Sequence, residues 1–181
     1  VCRMGQLVQV EGGEVWADDT GAGGAGPPVV LLHSGVGDSL IWEPVLPGLA
    51  AGRHRVIRYD ARGFGRSPAP TTPYAQVDDL RCVLDHFDLS RVVLAGSSMG
   101  ARTSVDLALS APGRVAALGL FTPGVAGYEG LEVPEVTEEI GRLAGAGDLD
   151  GLVALALRVW GAAGPDPDTE AEASLRAAIP A

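Results

Sequence analysis

Gly96-Ser97-Ser98-Met99-Gly100 places one hydroxyl, that of Ser98, between glycines two residues before and two residues after it. A serine hydroxyl acts as a nucleophile where the backbone lifts it clear of its neighbours and amide N–H groups face the negative charge its attack creates. The flanking sequence supplies that setting. An apolar strand-like run over residues 91–95 leads into the motif, and a helical pattern over 98–110 follows, stopped by Pro112-Gly113. A serine at so tight a strand-to-helix bend takes a strained backbone conformation, and glycines at 96 and 100 remove the Cβ atoms that would collide across it. The bend raises Ser98 Oγ above the sheet and turns the Met99 N–H toward the developing oxyanion. Ser97 lacks the paired glycines. The bland alternative is a glycine-rich turn with a capping serine.

Attack by Ser98 also needs a donor from the opposite side of the cleft. His33-Ser34-Gly35-Val36-Gly37 follows an apolar run over residues 28–33 and is placed to give one, assigned to the Gly35 N–H. His33 reads as a ring that anchors its own loop, not as a general base. Asp60-Ala61-Arg62-Gly63-Phe64-Gly65-Arg66-Ser67 reads as a compact turn whose glycines invite positive φ, braced by hydrogen bonds from Asp60 and Arg62. His54 and His86, at a strand start and a helix end, read as surface positions.

Those sites require positioning elements, and the chain spells them out. Residues 6–10 and 14–17 alternate around Glu11-Gly12-Gly13 as a β-hairpin, and 21–26 form a glycine-rich connection. The apolar runs at 28–33, 55–59, 91–95 and 115–121 read as strands buried in a sheet. Helical patterns separate them. One covers 40–49, with Leu40, Ile41, Val45, Leu46 and Leu49 apolar and Pro44 and Pro47 blurring its start; another covers 76–87, with Val77, Leu80, Leu84 and Phe87 on one face. Strands alternating with helices imply an α/β fold, a mostly parallel central sheet with flanking helices. After Pro123 only helices are predicted, at 134–143, at 149–160 with Asp148 as N-cap, and at 168–178.

Bulk properties narrow the function classes. The formal net charge is −10, which argues against nucleic acid and anionic membrane as partners. From Glu129 onward eleven acids and three arginines concentrate that charge, as expected of a solvated helical surface. No stretch approaches the roughly 18 apolar residues of a membrane span. The N-terminal residues form no apolar run resembling a signal peptide, so a cytoplasmic protein is expected. Cys2 and Cys82 are too few for a disulfide framework or zinc site, and Cys82 is expected to pack inside its helix.

Leu31-Leu32-His33-Ser34-Gly35, then Asp60-x-Arg62-Gly63-x-Gly65-x-Ser67, then Gly96-x-Ser98-x-Gly100 resemble the consecutive signatures of the α/β-hydrolase superfamily. The flavour is that of the cap-bearing esterases, enol-lactonases, prolyl-iminopeptidase-like enzymes and cofactor-free haloperoxidases. The resemblance covers the first hairpin through Pro123. It implies a hydrolase core over residues 1–124 and a helical cap segment over 125–181, both incomplete, with the chain ending inside the cap. It further implies a Ser98 acyl-enzyme formed on a small ester, lactone or amide, without metal or organic cofactor. Serine at 98 disfavours the haloalkane dehalogenase and epoxide hydrolase branches, which carry aspartate there. Two departures stand out: the usual His-Gly pair reads His33-Ser34, and the family's acid and histidine belong downstream of the cap. The chain alone is therefore expected to be inactive, with a non-catalytic ligand-binding or scaffold protein as the alternative. The strand at 115–121 is expected to form an exposed apolar edge, and the helix near 40–49 to lack a packing neighbour.

Overall fold

A computed structural model describes residues 5–21, 23–24, 26–123 and 133–160. The chain divides into two compact units, residues 1–126 and 127–181. In the first, six strands form one sheet: β1 (Gln6–Val10), β2 (Gly13–Asp19), β3 (Val29–Leu32), β4 (Val56–Tyr59), β5 (Val92–Ser97) and β6 (Val115–Phe121). Their spatial order is β1-β2-β4-β3-β5-β6. The hairpin β1–β2 is antiparallel and joins β4 antiparallel, whereas β4, β3, β5 and β6 run parallel to one another. The mostly parallel α/β sheet expected from the sequence is the one that forms.

Alternation sorts each strand's side chains onto two faces. Val30, Leu32 and Leu94 pack with Leu80, Val83 and Leu84 of α2 (Gln76–His86) and Leu107 of α3 (Met99–Ser110). Val29, Leu31 and Val56 pack on the opposite face against Trp42 and Leu46. β2 runs to Asp19, beyond the expected residue 17, because Ala17, Asp18 and Asp19 pair with Tyr59, Arg58 and Ile57. Cys82 is half-buried against the first cluster and serves packing, as expected.

The segment after the His33 loop departs from expectation. Instead of one helix over 40–49, Ser39–Val45 is a 3-10 helix, followed by the short α1 (Leu46–Ala51). Pro44 and Pro47 carry no N–H, so two of the i→i−4 bonds of a continuous α-helix cannot form there. The change of pitch turns Ser39, Trp42 and Leu46 inward and leaves Leu40, Ile41 and Val45 exposed. Among the described residues β6 pairs with no strand but β5 and forms the sheet edge, with Leu118, Leu120 and Phe121 exposed, as anticipated.

The second unit contains α4 (Pro134–Gly145) and α5 (Leu149–Trp160). Asp148 Oδ1 accepts the Gly151 N–H at 2.8 Å, the predicted N-cap. Arg158 crosses from α5 to Glu139 of α4 at 2.9 Å. The helix expected at 168–178 lies outside the described residues. Among the described residues, no helix is long and apolar enough to cross a membrane.

Candidate active site

The bend between β5 and α3 is where local sequence and sheet geometry meet. Ser98 has φ 48° and ψ −104°, a left-handed conformation that side chains other than glycine rarely adopt. A methyl added to Gly96 would overlap the Gly100–Ala101 backbone, and one added to Gly100 would fall 2.6 Å from Leu32 Cβ. These contacts explain both motif glycines: one lets the bend close on itself, the other lets α3 press against β3. The Ser98 N–H donates to the Phe121 carbonyl at 2.9 Å and the Gly100 N–H to the His33 carbonyl at 3.1 Å, pinning the bend to both flanking strands. Ser98 is exposed. Its side chain caps no helix, contrary to the bland reading of the motif. Because strain of this kind costs about 1–3 kcal/mol, Ser98→Gly should be more stable than Ser98→Ala by roughly 1–2 kcal/mol in urea unfolding.

Gly35 lies across the bend. A methyl placed on it would lie 3.9 Å from Met99 Cβ and Sδ, so the loop faces the Met99 side chain with room for about one methyl group between them. Among the described residues, neither the Gly35 nor the Met99 N–H donates to another backbone group. The loop is braced from within. Ser34 Oγ donates to the Val36 carbonyl at 2.6 Å, and the His33 Nδ1–H donates to the Ser34 carbonyl at 2.6 Å. That carbonyl and the Gly35 N–H belong to one planar trans peptide and point in opposite directions. Gripping the carbonyl therefore aims the N–H.

The same ring is fully occupied. His33 Nε2 accepts the Ala61 N–H at 2.9 Å, which fixes the neutral Nδ1–H tautomer. Phe64 meets the ring edge-on at 5.2 Å between centroids. Burial pushes the imidazole below its ordinary pKa; the Ser34 carbonyl and the charges of Asp60 and Asp38 oppose the shift without reversing it. His33 thus anchors its loop, as the sequence suggested, and has no lone pair left for Ser98.

Asp60 braces the turn after β4 from within, as expected, whereas Arg62 ties the turn to other elements. Asp60 is fully buried and accepts from the Ser39 N–H at 2.9 Å and from Arg66 N and Nε at 3.0 and 2.9 Å. Burial alone would raise its carboxyl pKa, but the hydrogen bonds from Arg66 and Ser39 prevail and hold it below the usual carboxylate value. Gly63 and Gly65 take φ 79° and 51°, as the turn's composition implied. Arg62 leaves the turn altogether. It forms a two-pronged pair with Asp79 of α2, at 2.6 and 2.8 Å, and donates to the Glu11 carbonyl of the hairpin at 2.6 Å. His54 and His86 are exposed, as expected. His54 precedes β4, at the end of the parallel strands opposite Ser98, and the neighbouring Phe87 carbonyl bonds Arg55 at that same end.

Residues 27–151 match the family model described as alpha/beta hydrolase fold. The chain belongs to that family. This α/β hydrolase is 37% identical over 108 residues to an epoxide hydrolase of Caballeronia sordidicola, an alignment covering 56% of the chain and 33% of that protein. It is 35% identical over 139 residues to a 2-hydroxy-6-oxononadienedioate/2-hydroxy-6-oxononatrienedioate hydrolase of Cupriavidus pinatubonensis, covering 72% and 47% of the two chains. Among solved structures it resembles Est816, an N-acyl homoserine lactone degrading enzyme, with TM-score 0.71 and 27% identity over 95% of this chain and 64% of that one. The α/β hydrolase chain thus spans less than two thirds of the length of each of these proteins.

Three contributors to the site carried no usable sequence signal. Ser34 stands where the family pattern has glycine, and its loop-bracing hydroxyl shows only in the fold. Asp79 and Gln76 sit at the polar start of α2 and look like solvated residues, yet Asp79 is buried and Gln76 half-buried. The helical pattern sets Asp79 with Asp78 and Asp85, opposite Leu80 and Leu84, and the structure corrects this: Asp79 is buried against Arg62.

Proposed function

We propose that this chain is the nucleophile-bearing part of a serine hydrolase of small carboxylic esters, lactones or amides. Ser98 Oγ attacks the carbonyl carbon, the carbonyl oxygen takes up the charge, and the Met99 and Gly35 N–H groups stabilise it. The acyl-serine is then released by water. The observation that carries this reading is Ser98 itself: an exposed hydroxyl on a left-handed residue, followed by the Met99 N–H, which has no backbone acceptor among the described residues. Serine at this position, where an epoxide-opening relative would need a carboxylate, favours acyl transfer. The lactone-degrading activity of Est816 supports the same substrate class.

The sequence holds three histidines, and none is placed to take the Ser98 proton. His33 is engaged at both ring nitrogens, and His54 and His86 lie away from the bend. Loss of the base lowers turnover on the order of 10⁶-fold, leaving roughly 10³–10⁴ over water from the oxyanion site. These residues alone are therefore expected to turn over an activated acyl ester at no more than that residual rate, essentially inactive beside a complete enzyme. The second reading is a ligand-binding or scaffold protein of hydrolase fold, in which Ser98 takes part in no acyl transfer.

A fluorophosphonate probe tests Ser98 as the nucleophile, because phosphonylation also builds negative charge on oxygen beside it. Slow, stoichiometric modification of Ser98, located by peptide mass mapping and absent in Ser98→Ala, is the expected result. Equal labelling of Ser98→Ala, or an adduct on Ser97, would overturn the assignment.

A further inference from the structure

Met99 carries a side chain as well as an N–H, and that side chain lies between two groups. On one side is Gly35, where an added Cβ would lie 3.9 Å from Met99 Cβ and Sδ. From the other side the Gln76 amide donates Nε2–H to Met99 Sδ at 3.0 Å. Thr103, one helical turn beyond Met99 and buried, donates its hydroxyl to Gln76 Oε1 at 2.9 Å. A thioether sulfur can only accept, so the amide nitrogen faces it and Oε1 faces Thr103, whose hydroxyl also lies 3.1 Å from the Met99 carbonyl. Gln76 is the first residue of α2, where a polar side chain ordinarily turns to water. Here it turns inward, and Gln76, Met99, Thr103, His33 and Gly100 line one small crevice under the bend.

We propose that Gln76 is a positioning residue for the oxyanion site. By gripping the Met99 sulfur it fixes the side chain that faces the Gly35 loop, which limits how closely the loop approaches and so sets the separation of the N–H donors at 35 and 99. Such donors work only when held about 2.7–3.1 Å from the charged oxygen, so a small drift of the loop weakens both. Among the described residues no hydrogen bond links Gln76 to Ser98, and its effect passes through Met99. The proposal rests on the reading of Ser98 as nucleophile, but the grip on sulfur can be measured without it.

The sequence contains two methionines, Met4 and Met99, so methyl-13C methionine labelling gives a spectrum simple enough to assign with Met99→Leu. In Gln76→Ala the Met99 methyl signal should sharpen and move toward the position of free methionine. Phosphonylation of Ser98 should slow on the order of tenfold. Gln76→Glu keeps the shape and the Thr103 contact but has no donor for sulfur, and should behave like Gln76→Ala. In a Met99→Leu background, Gln76→Ala should slow labelling no further, because the partner through which it acts is gone. An unchanged Met99 methyl signal in both Gln76 variants, or equal slowing with and without Met99, would overturn the proposal. Labelling that survives Ser98→Ala would instead sink the nucleophile assignment, and the methyl signal would still decide whether Gln76 holds the sulfur.

Discussion

Asp79→Ala should lower the unfolding free energy of the chain by about 3–5 kcal/mol, the usual consequence of stripping one partner from a buried ion pair. The Arg62 and Asp79 side chains are 2% and 5% exposed, so neither charge has water as a substitute partner. The Arg62 guanidinium also reaches the Glu11 carbonyl and stacks over Tyr74 at 4.6 Å, so one side chain joins the hairpin, the turn after β4 and α2. Without the carboxylate, a full positive charge remains in a low-dielectric setting. Urea unfolding followed by tryptophan fluorescence reads the loss. The paired replacement Arg62→Met with Asp79→Leu should cost far less than either polar-to-alanine change, since no unpaired charge remains. A loss below about 1 kcal/mol for Asp79→Ala, the range of exposed pairs, would mean that water enters the pair.

His33→Ala should act on stability and on chemistry at once. It removes a buried ring and leaves the Ser34 carbonyl and the Ala61 N–H without their partners, for a loss of about 2–4 kcal/mol. It also frees the peptide that aims the Gly35 N–H. If that N–H serves the oxyanion, Ser98 phosphonylation should slow by roughly 10²–10³-fold, the effect of removing one such donor. Titration gives a separate check. Folding keeps His33 neutral with a lowered pKa, so below about pH 6.5 the unfolded chain binds a proton that the folded chain refuses. Stability contributed by His33 is thus complete above that value and declines as pH falls toward the folded pKa. Wild-type protein should lose stability between pH 7 and the folded pKa of His33, and His33→Ala should show a flatter profile. An equally steep profile in the variant would assign the effect to other groups.

Legibility from sequence varied with how local the deciding interactions are. The Gly96-to-Gly100 bend was readable because its cause is contained in five residues and the apolar run before them. The parallel strands were readable because continuous apolar runs suit positions covered on both faces. The segment over 40–49 was not. Its apolar residues fit an α-helical stripe, but two prolines tightened the coil and moved the buried face to Ser39, Trp42 and Leu46. Pro44 and Pro47 were visible; the pitch they imposed, and hence the inward face, depended on packing against β3 and β4.

The family, the order of strands and helices, and the one serine worth testing all follow from short-range patterns in this chain, because backbone strain, chain stiffness and side-chain periodicity act between near neighbours. Which polar groups are buried follows from none of these. Arg62 meets Asp79 across 17 residues, His33 meets Ala61 across 28, and Gln76 meets Met99 across 23. A charge or amide at a helix start looks the same in sequence whether it faces water or a partner. Only folding brings the partner within hydrogen-bonding distance and removes the water, and that exchange turns an ordinary polar residue into a brace for the site.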